Sequence, residues 1–371
     1  MEAPAHFVGL EDAHSGRRIL LTGWERTDLI DLTTIDGVLA DGWRRGWHGF
    51  AWLPYDLGEA HLGVRGRAPG AIHWFADRDE GPITHRKQSE GWLAGPSHDI
   101  GEAEFRARIG DVHEAIAAGT TYQINFTHRI TARAAGDPVE LYRRLFERQP
   151  VAFGVLAHLP EPSAPWTLCL SPELFLRVDG GVATTKPMKG TAPAETDPGA
   201  LSGDPKNRAE NLMIVDLLRN DLSRVAVPGT VEVPALFEIE QVGALWQMTS
   251  TVRAELRPGT TPGELLAATF PCGSITGAPK LAAMSLIREL ERSPRGLYTG
   301  SLGLIEPSDD ALGWRATLNI AIRTLEIDPD APGHNAQLGI GSGVVADSTA
   351  EDEWAECVAK AGFITGAGPT V

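Results

Sequence analysis

Lys189 stands in Thr184-Thr185-Lys186-Pro187-Met188-Lys189-Gly190-Thr191-Ala192-Pro193, between a β-branched run and a proline-rich loop. Proline, glycine and threonine place it on constrained backbone rather than on a solvated helix face. A lysine buried near acidic groups can be a nucleophile, a base or an anion clamp. The loop alone leaves these readings open beside that of a surface charge. A second set of charges lies on Lys206–Leu222 (KNRAENLMIVDLLRNDL), whose helical period lines up Glu210, Met213, Ile214, Leu217 and Leu218. A carboxylate in line with an apolar stripe must be partnered, or sit near a helix N-terminus where negative charge is welcome. Asp216, Arg219, Asn220 and Asp221 read as a structural polar face.

Near the end of the chain, Ser348 followed by Glu351 has the pattern of a capping box. Glu353, Glu356 and Lys360 then share one helical face. Exposed, they form a salt-bridge patch worth a few tenths of a kcal/mol per pair. Buried beside Glu210, the same carboxylates make an oxygen-only divalent cation site suited to magnesium. Just before this helix, Gly339, Gly341 and Gly343 alternate along a strand and leave one of its faces bare. That face admits a ligand or another backbone, or else marks a bend. Pro271-Cys272-Gly273-Ser274-Ile275-Thr276-Gly277-Ala278-Pro279-Lys280 leads into a helix, and Ser274 and Thr276 there are either caps or holders of a polar substrate.

The elements that carry these groups follow from periodicity. Helices are expected over 101–118, 138–147, 206–222, 279–291 and 348–362. Strands are expected over 122–132, 152–158, 166–170, 173–178, 181–186, 298–305, 313–324 and 336–346. Residues 1–95 hold short apolar runs such as Ile19-Leu20-Leu21, ended by Thr22-Gly23, and read as short strands and loops within the same fold. Pro96-Ser97-His98-Asp99 reads as an internal boundary, with residues 96–371 as the catalytic core. The fold class is α+β, with large, mostly antiparallel sheets.

The chain has 371 residues, 42% of them hydrophobic, and a net charge of −16. That charge argues against nucleic acid or an anionic membrane as partner, while local cations can still hold an anionic substrate. Three well-separated cysteines, Cys169, Cys272 and Cys357, form no disulfide or zinc pattern and suit a reducing cytoplasm. No apolar run reaches membrane-spanning length and the N-terminus lacks the features of a signal peptide.

Taken in order, the motifs resemble those of the chorismate-utilising enzymes. They are Tyr122-Gln123-Ile124-Asn125-Phe126-Thr127, Ser171-Pro172-Glu173, PMKGT (187–191), AENLMIVDLLRNDL (209–222), PCGSITGAPK (271–280), PRGLYTG (294–300), LNIAIRTL (318–325) and GSGVVADSTAEDEWAEC..K (341–360). The resemblance spans roughly residues 100–362 and implies a sandwich of two large, mostly antiparallel sheets flanked by helices. Isochorismate and salicylate synthases carry a lysine where Gln123 stands, and a glutamine is no general base. Anthranilate synthases usually have alanine in place of Lys189 and histidine in place of Gln247. The resemblance therefore points to the branch that aminates chorismate to 4-amino-4-deoxychorismate, feeding 4-aminobenzoate and folate synthesis. Anthranilate formation is the alternative.

The resemblance further implies roles. Magnesium would be held by Glu210 and Glu356, with Glu353 close by. Tyr298 and Arg323 would take the enolpyruvyl carboxylate, Gly341 and Gly343 would allow close backbone approach, and Lys360 would lie near metal and carboxylate. Gly190, Thr191 and Ser274 complete the substrate-binding set. Glu173 would protonate the departing 4-hydroxyl, and Lys189, as a neutral amine, would attack C2 to form a covalent adduct. No glutamine amidotransferase motif occurs here, so ammonia would come from solution or from a separate glutaminase subunit in a heterodimer. The nearest candidate for a tryptophan-binding segment, Leu20-Leu21-Thr22-Gly23, carries no clear signature of one.

Overall fold

The computed structural model describes residues 5–83, 89–242, 245–331, 333 and 335–364. The chain opens with β1 (Phe7–Glu11), β2 (Arg18–Ile30), α1 (Ile35–Arg44), β3 (His48–Leu53), α2 (Tyr55–His61), β4 (Gly70–Glu80) and β5 (Trp92–His98). The helices α1 and α2 and the long strands β2 and β4 depart from the short strands and loops expected here. Strand β2 runs thirteen residues, because Gly23 takes φ +67° and a register shift between Trp24 and Arg26 carries the strand past it as a bulge. Helix α1 was not expected, since its buried positions are Ile35, Leu39 and Gly42. A Cβ on Gly42 would stand 2.2 Å from the Trp74 ring. The contact is made by the absence of a side chain, which an apolar-period reading does not register. Pro96, Ser97 and His98 lie inside β5, with Ser97 and His98 paired to the next strand.

Next come α3 (Glu102–Ala117), β6 (Gln123–Ala135), α4 (Pro138–Arg148), β7 (Phe153–His158), β8 (Trp166–Ser171), β9 (Leu174–Asp179), β10 (Val182–Lys186), β11 (Met188–Pro193), α5 (Pro198–Gly203), α6 (Pro205–Ser223), β12 (Glu232–Val242) and β13 (Leu245–Glu255). The last third holds α7 (Pro262–Thr269), a 3-10 turn at Gly273–Ile275, β14 (Gly277–Ala278), α8 (Lys280–Leu290), β15 (Ser301–Pro307), β16 (Trp314–Asn319), β17 (Thr324–Ile327), β18 (Ala336–Val344) and α9 (Ala350–Ala361). The expected helices and strands of this region are present. The strand expected over 313–324 is two strands, broken at Ile320–Arg323 where Arg323 takes φ +50°. The cap of α9 is Thr349 rather than Ser348. Its hydroxyl accepts from the Asp352 N–H, while Ser348 is buried and accepts from Val345 N–H. No helix among the described residues is long and apolar enough to cross a membrane.

The ladder order is β5-β6-β18-β17-β8-β7-β1-β2-β4-β3-β15-β16-β9-β10-β13, all antiparallel, with β11 and β12 on β13 and β14 on β6. It folds over where β1 joins β7 to β2. Strand β3 sends Ala51 and Leu53 to an apolar layer with α1, α6 and α7, and Phe50 and Trp52 to a core made of strand and adjoining loop residues. Strand β7 sends Val155 and Ala157 to that same core and Leu156 to a layer with α3, α4, α8 and α9. This period-two division makes the stack helix, sheet, sheet, helix.

The chain crosses between sheets at β8–β9 and again at β16–β17, and the two crossings touch through Ile320 N–H donating to Glu173 O at 3.1 Å. Behind them lies a buried ion pair, Arg295 with Glu291 at 2.7 Å. Arg295 also donates to Asn125 O at 2.6 Å, Ile275 O at 2.7 Å and Thr299 Oγ1 at 3.3 Å, and its guanidinium lies over the Tyr55 ring. Glu291 accepts from Thr127 N–H and Oγ–H. Removing one partner of such a pair leaves a buried, unpaired charge. Arg295→Met should therefore lower the unfolding free energy by about 3–5 kcal/mol in urea denaturation; unchanged stability would refute the clamp.

Candidate functional site

A cavity of about 510 Å³ opens between β18, β11, α6 and α9. Its floor is the glycine face of β18. A Cβ on Gly339 would stand 2.0 Å from the Tyr298 ring, and one on Gly343 would stand 2.8 Å from Lys189 Nζ. The bare face thus receives side chains of the site itself, rather than marking a bend. Gly341 lies between them, and its carbonyl accepts from Lys360 Nζ at 2.9 Å.

Glu173 lies at the first sheet crossing and is 4% exposed. Burial raises its carboxyl to about 7, against the opposing pull of a hydrogen bond from Ser274 Oγ (2.8 Å) and of the Lys189 charge. Ser274 sits in the 3-10 turn, so its hydroxyl serves Glu173 rather than a helix end. Lys189 is half-buried on β11 and faces carboxylates, since its charge lowers Glu173, Glu210 and Glu356. Gly190 holds φ +85° with Asn207 against it, which keeps the strand turning at the lysine. Thr191 also lines the cavity, at its exposed rim opposite Gln247 of β13.

One wall is acidic. Glu210 comes from α6, and Glu353 and Glu356 from α9. The buried stripe of α6 is Asn211, Ile214, Val215, Leu218, Asp221 and Leu222, so Glu210 and Leu217 flank it, and Asp221 lies within it instead of on the exposed polar face with Asp216, Arg219 and Asn220. Burial, with Glu353 and Glu356 nearby, raises Glu210 against the pull of Lys189 and Lys206. Partial desolvation presses on Glu356, whose side chain is still about half exposed, but its ion pair with Lys360 at 2.6 Å, aided by Lys189 and Lys206, holds it below the ordinary value. Glu353 is 4% exposed, and its Oε2 is buried without a hydrogen-bond partner. Among the described residues no three acidic, histidine or cysteine side chains form a ready-made metal cage. An orphaned carboxylate oxygen among like charges is nonetheless a donor set that a hard divalent cation satisfies.

The facing wall is cationic and hydroxylic. Arg323 stands at the second sheet crossing with Nη1 buried and unpartnered. Burial lowers its guanidinium to about 10, with Glu173 acting the other way. Burial pushes the Tyr298 phenol up to about 12. The next residue, Thr299, takes φ +62°. Left-handed backbone at a β-branched residue costs roughly 1–3 kcal/mol and persists only where packing over-determines it. Here the Arg295 clamp and the Thr299 N–H to Ala321 O bond hold it.

Every residue given a catalytic, substrate or metal role from the sequence lines this one cavity. Thr276 does not line it: its hydroxyl donates back to Cys272 O at 3.1 Å, as a local cap would. The cavity also contains Asn125, Lys206 and Gln247, the last buried with Oε1 unpartnered. Neither Asn125 nor Lys206 was picked out. The signal for Asn125 is the alternation of β6, which puts Gln123, Asn125, Thr127 and Arg129 on one face. Lys206 carries no signal beyond its charge.

The family model described as chorismate binding enzyme matches residues 66–366. The chain is 38% identical over 270 residues to an anthranilate synthase component 1 of Haloarcula marismortui, covering 71% of this chain and 51% of that protein. It is also 38% identical over 300 residues to aminodeoxychorismate synthase component 1 of Salmonella typhimurium, covering 79% and 63%. The chain thus spans about half to two thirds of these relatives' length. The solved structure of anthranilate synthase component I from Streptococcus pneumoniae superposes with a TM-score of 0.76 at 24% identity, covering 98% of this chain and 90% of that one.

Carbon-13 NMR of glutamate-labelled protein, with Glu173→Gln to identify the signal, should show Glu173 titrating near pH 7. Ser274→Ala should move the midpoint higher, because the lost hydrogen bond favours the charged form. A midpoint at the ordinary glutamate value of about 4.3 would remove the basis for an acid role.

Proposed function

The chain belongs to the chorismate-binding enzymes, and from that premise we propose that it aminates chorismate to 4-amino-4-deoxychorismate with ammonia and magnesium, through a covalent adduct on Lys189. The observation that carries this reading is the placement of Lys189 and a high-pKa Glu173 in one cavity with the acidic wall. The Lys189 amine attacks C2, the ring double bonds shift, and the C4 oxygen leaves as water with a proton from Glu173. Ammonia then attacks C4, the double bonds shift back, and the lysine amine is released. Two allylic displacements replace one difficult substitution. Tyr298 and Arg323 hold the enolpyruvyl carboxylate, and the unpartnered Arg323 Nη1 supports this. Glu210 and Glu356, with Glu353, would hold magnesium, which supplies charge compensation for the ring carboxylate when bound. Lys360, fixed by Gly341 O and Glu356, lies beside them. Gly341 and Gly343 leave the floor low enough for the ring, and Gly190 and Thr191 border it.

Ammonia comes from solution or from a separate glutaminase subunit; the words "component 1" in relatives' names support a second component. The product is suited to 4-aminobenzoate and folate synthesis. Three free, buried cysteines accord with a cytoplasmic setting. Anthranilate formation is the second reading, favoured by the similarity to anthranilate synthases. Against it stand Lys189 and the buried amide of Gln247, which cannot act as a base.

Incubation with chorismate, magnesium and ammonium should give 4-amino-4-deoxychorismate by chromatography and mass. Anthranilate with pyruvate would transfer the assignment to the second reading, and isochorismate would overturn both. Lys189→Ala should lose the adduct by intact-protein mass; full activity would exclude the nucleophilic role. Glu173→Gln should lower kcat by about 10²–10⁴-fold. At saturating free ammonia, the rate of C4–oxygen cleavage should fall as pH rises through about 7, where Glu173 loses its proton. Chelation should abolish turnover, and Glu210→Gln should raise the magnesium needed for half-maximal activity; turnover insensitive to chelator would exclude the metal.

A further inference from the structure

Tyr298 is held by a residue outside the cavity. In the β6–β18 ladder Arg129 is the direct partner of Gly339, so the two project from one face. Gly339 leaves its position bare, and the Tyr298 ring fills it. The Arg129 guanidinium carbon lies over that ring, 5.2 Å from the centroid. A cation over an aromatic face is drawn to its negative quadrupole.

The guanidinium is itself fixed. Arg129 Nη2 donates to Pro294 O at 2.8 Å, in the loop that leads to Tyr298. Its backbone N–H donates to Asp99 Oδ1 at 2.9 Å, and the residue is 8% exposed. Arg129 touches the loop at Pro294 and at the ring of Tyr298, while the strained Thr299 follows directly. A strained turn does not by itself fix the χ angles of the residue before it. The slot made by Gly339 and Arg129 does. Arg129 does not line the cavity.

We propose that Arg129 is a positioning residue: with the bare backbone of Gly339 it fixes the Tyr298 ring, and so sets where the phenol hydroxyl stands in the cavity. Its kinetic consequence rests on the chorismate reading above; the placement of the ring does not.

The test uses the full chain with 3-fluorotyrosine incorporated. Of its four tyrosines, Tyr298 is identified by the fluorine signal missing from Tyr298→Phe. Arg129→Met should shift and sharpen that signal as the ring gains motion. Arg129→Lys, which keeps a cation, should shift it less, and it serves alone if the methionine variant does not fold. In the amination assay Arg129→Met should raise the KM for chorismate about tenfold and leave kcat within about twofold. The same substitution in a Tyr298→Phe background should add no further rise in KM. An unmoved Tyr298 signal, or an equal rise in KM in both backgrounds, would overturn the proposal. If the wild type does not turn over chorismate, the functional reading falls, and the fluorine signal alone decides the role of Arg129.

Discussion

A guanidinium cannot be buried without acceptors, and Arg295 is almost wholly enclosed. Its acceptors come from β6, from the 3-10 turn and from the Tyr298 loop, with Glu291, the C-cap of α8, as counter-charge. Each acceptor segment carries a group that faces the cavity: Asn125, Ser274 and Tyr298 respectively. A single planar fork therefore fixes the mutual distances of three pieces of the site that lie far apart in sequence. A second buried pair, Lys280 with Asp221 at 2.6 Å, does the same for α8 and α6. Such pairs add little net stability over apolar packing, but they do not tolerate partial assembly.

The cavity sorts charge by wall. Three carboxylates from α6 and α9 oppose an arginine and a phenol near the sheet crossings, and Lys189 lies between. The whole chain is acidic, so any welcome for an anion in this cavity comes from the local cations and not from the mean field. Glu173 differs from Glu356 in its deeper burial, which raises its carboxyl to about 7, while the pairing of Glu356 with Lys360 holds that group below the ordinary value. Two carboxylates in one site thus have their proton affinities pushed apart by their surroundings.

Much of this was legible in the sequence. Periodicity located most helices and strands after residue 100, though not β11, α5, β12, β13 or α7, and put Glu353, Glu356 and Lys360 on one face. It could not say whether that face was wet, since burial is a property of the neighbours. Helix α1 was hidden because its contact with Trp74 is made at a glycine. The stripe of α6 was read one position off, because Asn211, a polar residue bonded to Ser250, takes a core position that Glu210 was given. The glycine alternation of β18 announced a bare face, but not that Tyr298 and Lys189 occupy it. Arg129 and Arg295 carry no local signal, because what they do depends on segments more than a hundred residues away in one case and on the packing of several elements in the other.

Glu173 and Arg323 sit on the two links that pass between sheets, Lys189 on a strand at one end of the ladder, and Gly341 and Gly343 near the other end. The full set of cavity groups is assembled only where the two halves of the folded-over ladder meet. A ligand that touches both walls therefore favours the docked sandwich over any state in which the halves are apart. Ligand affinity and the last step of assembly are in that sense one equilibrium, and loosening the fold at β1 would be felt first as weaker binding.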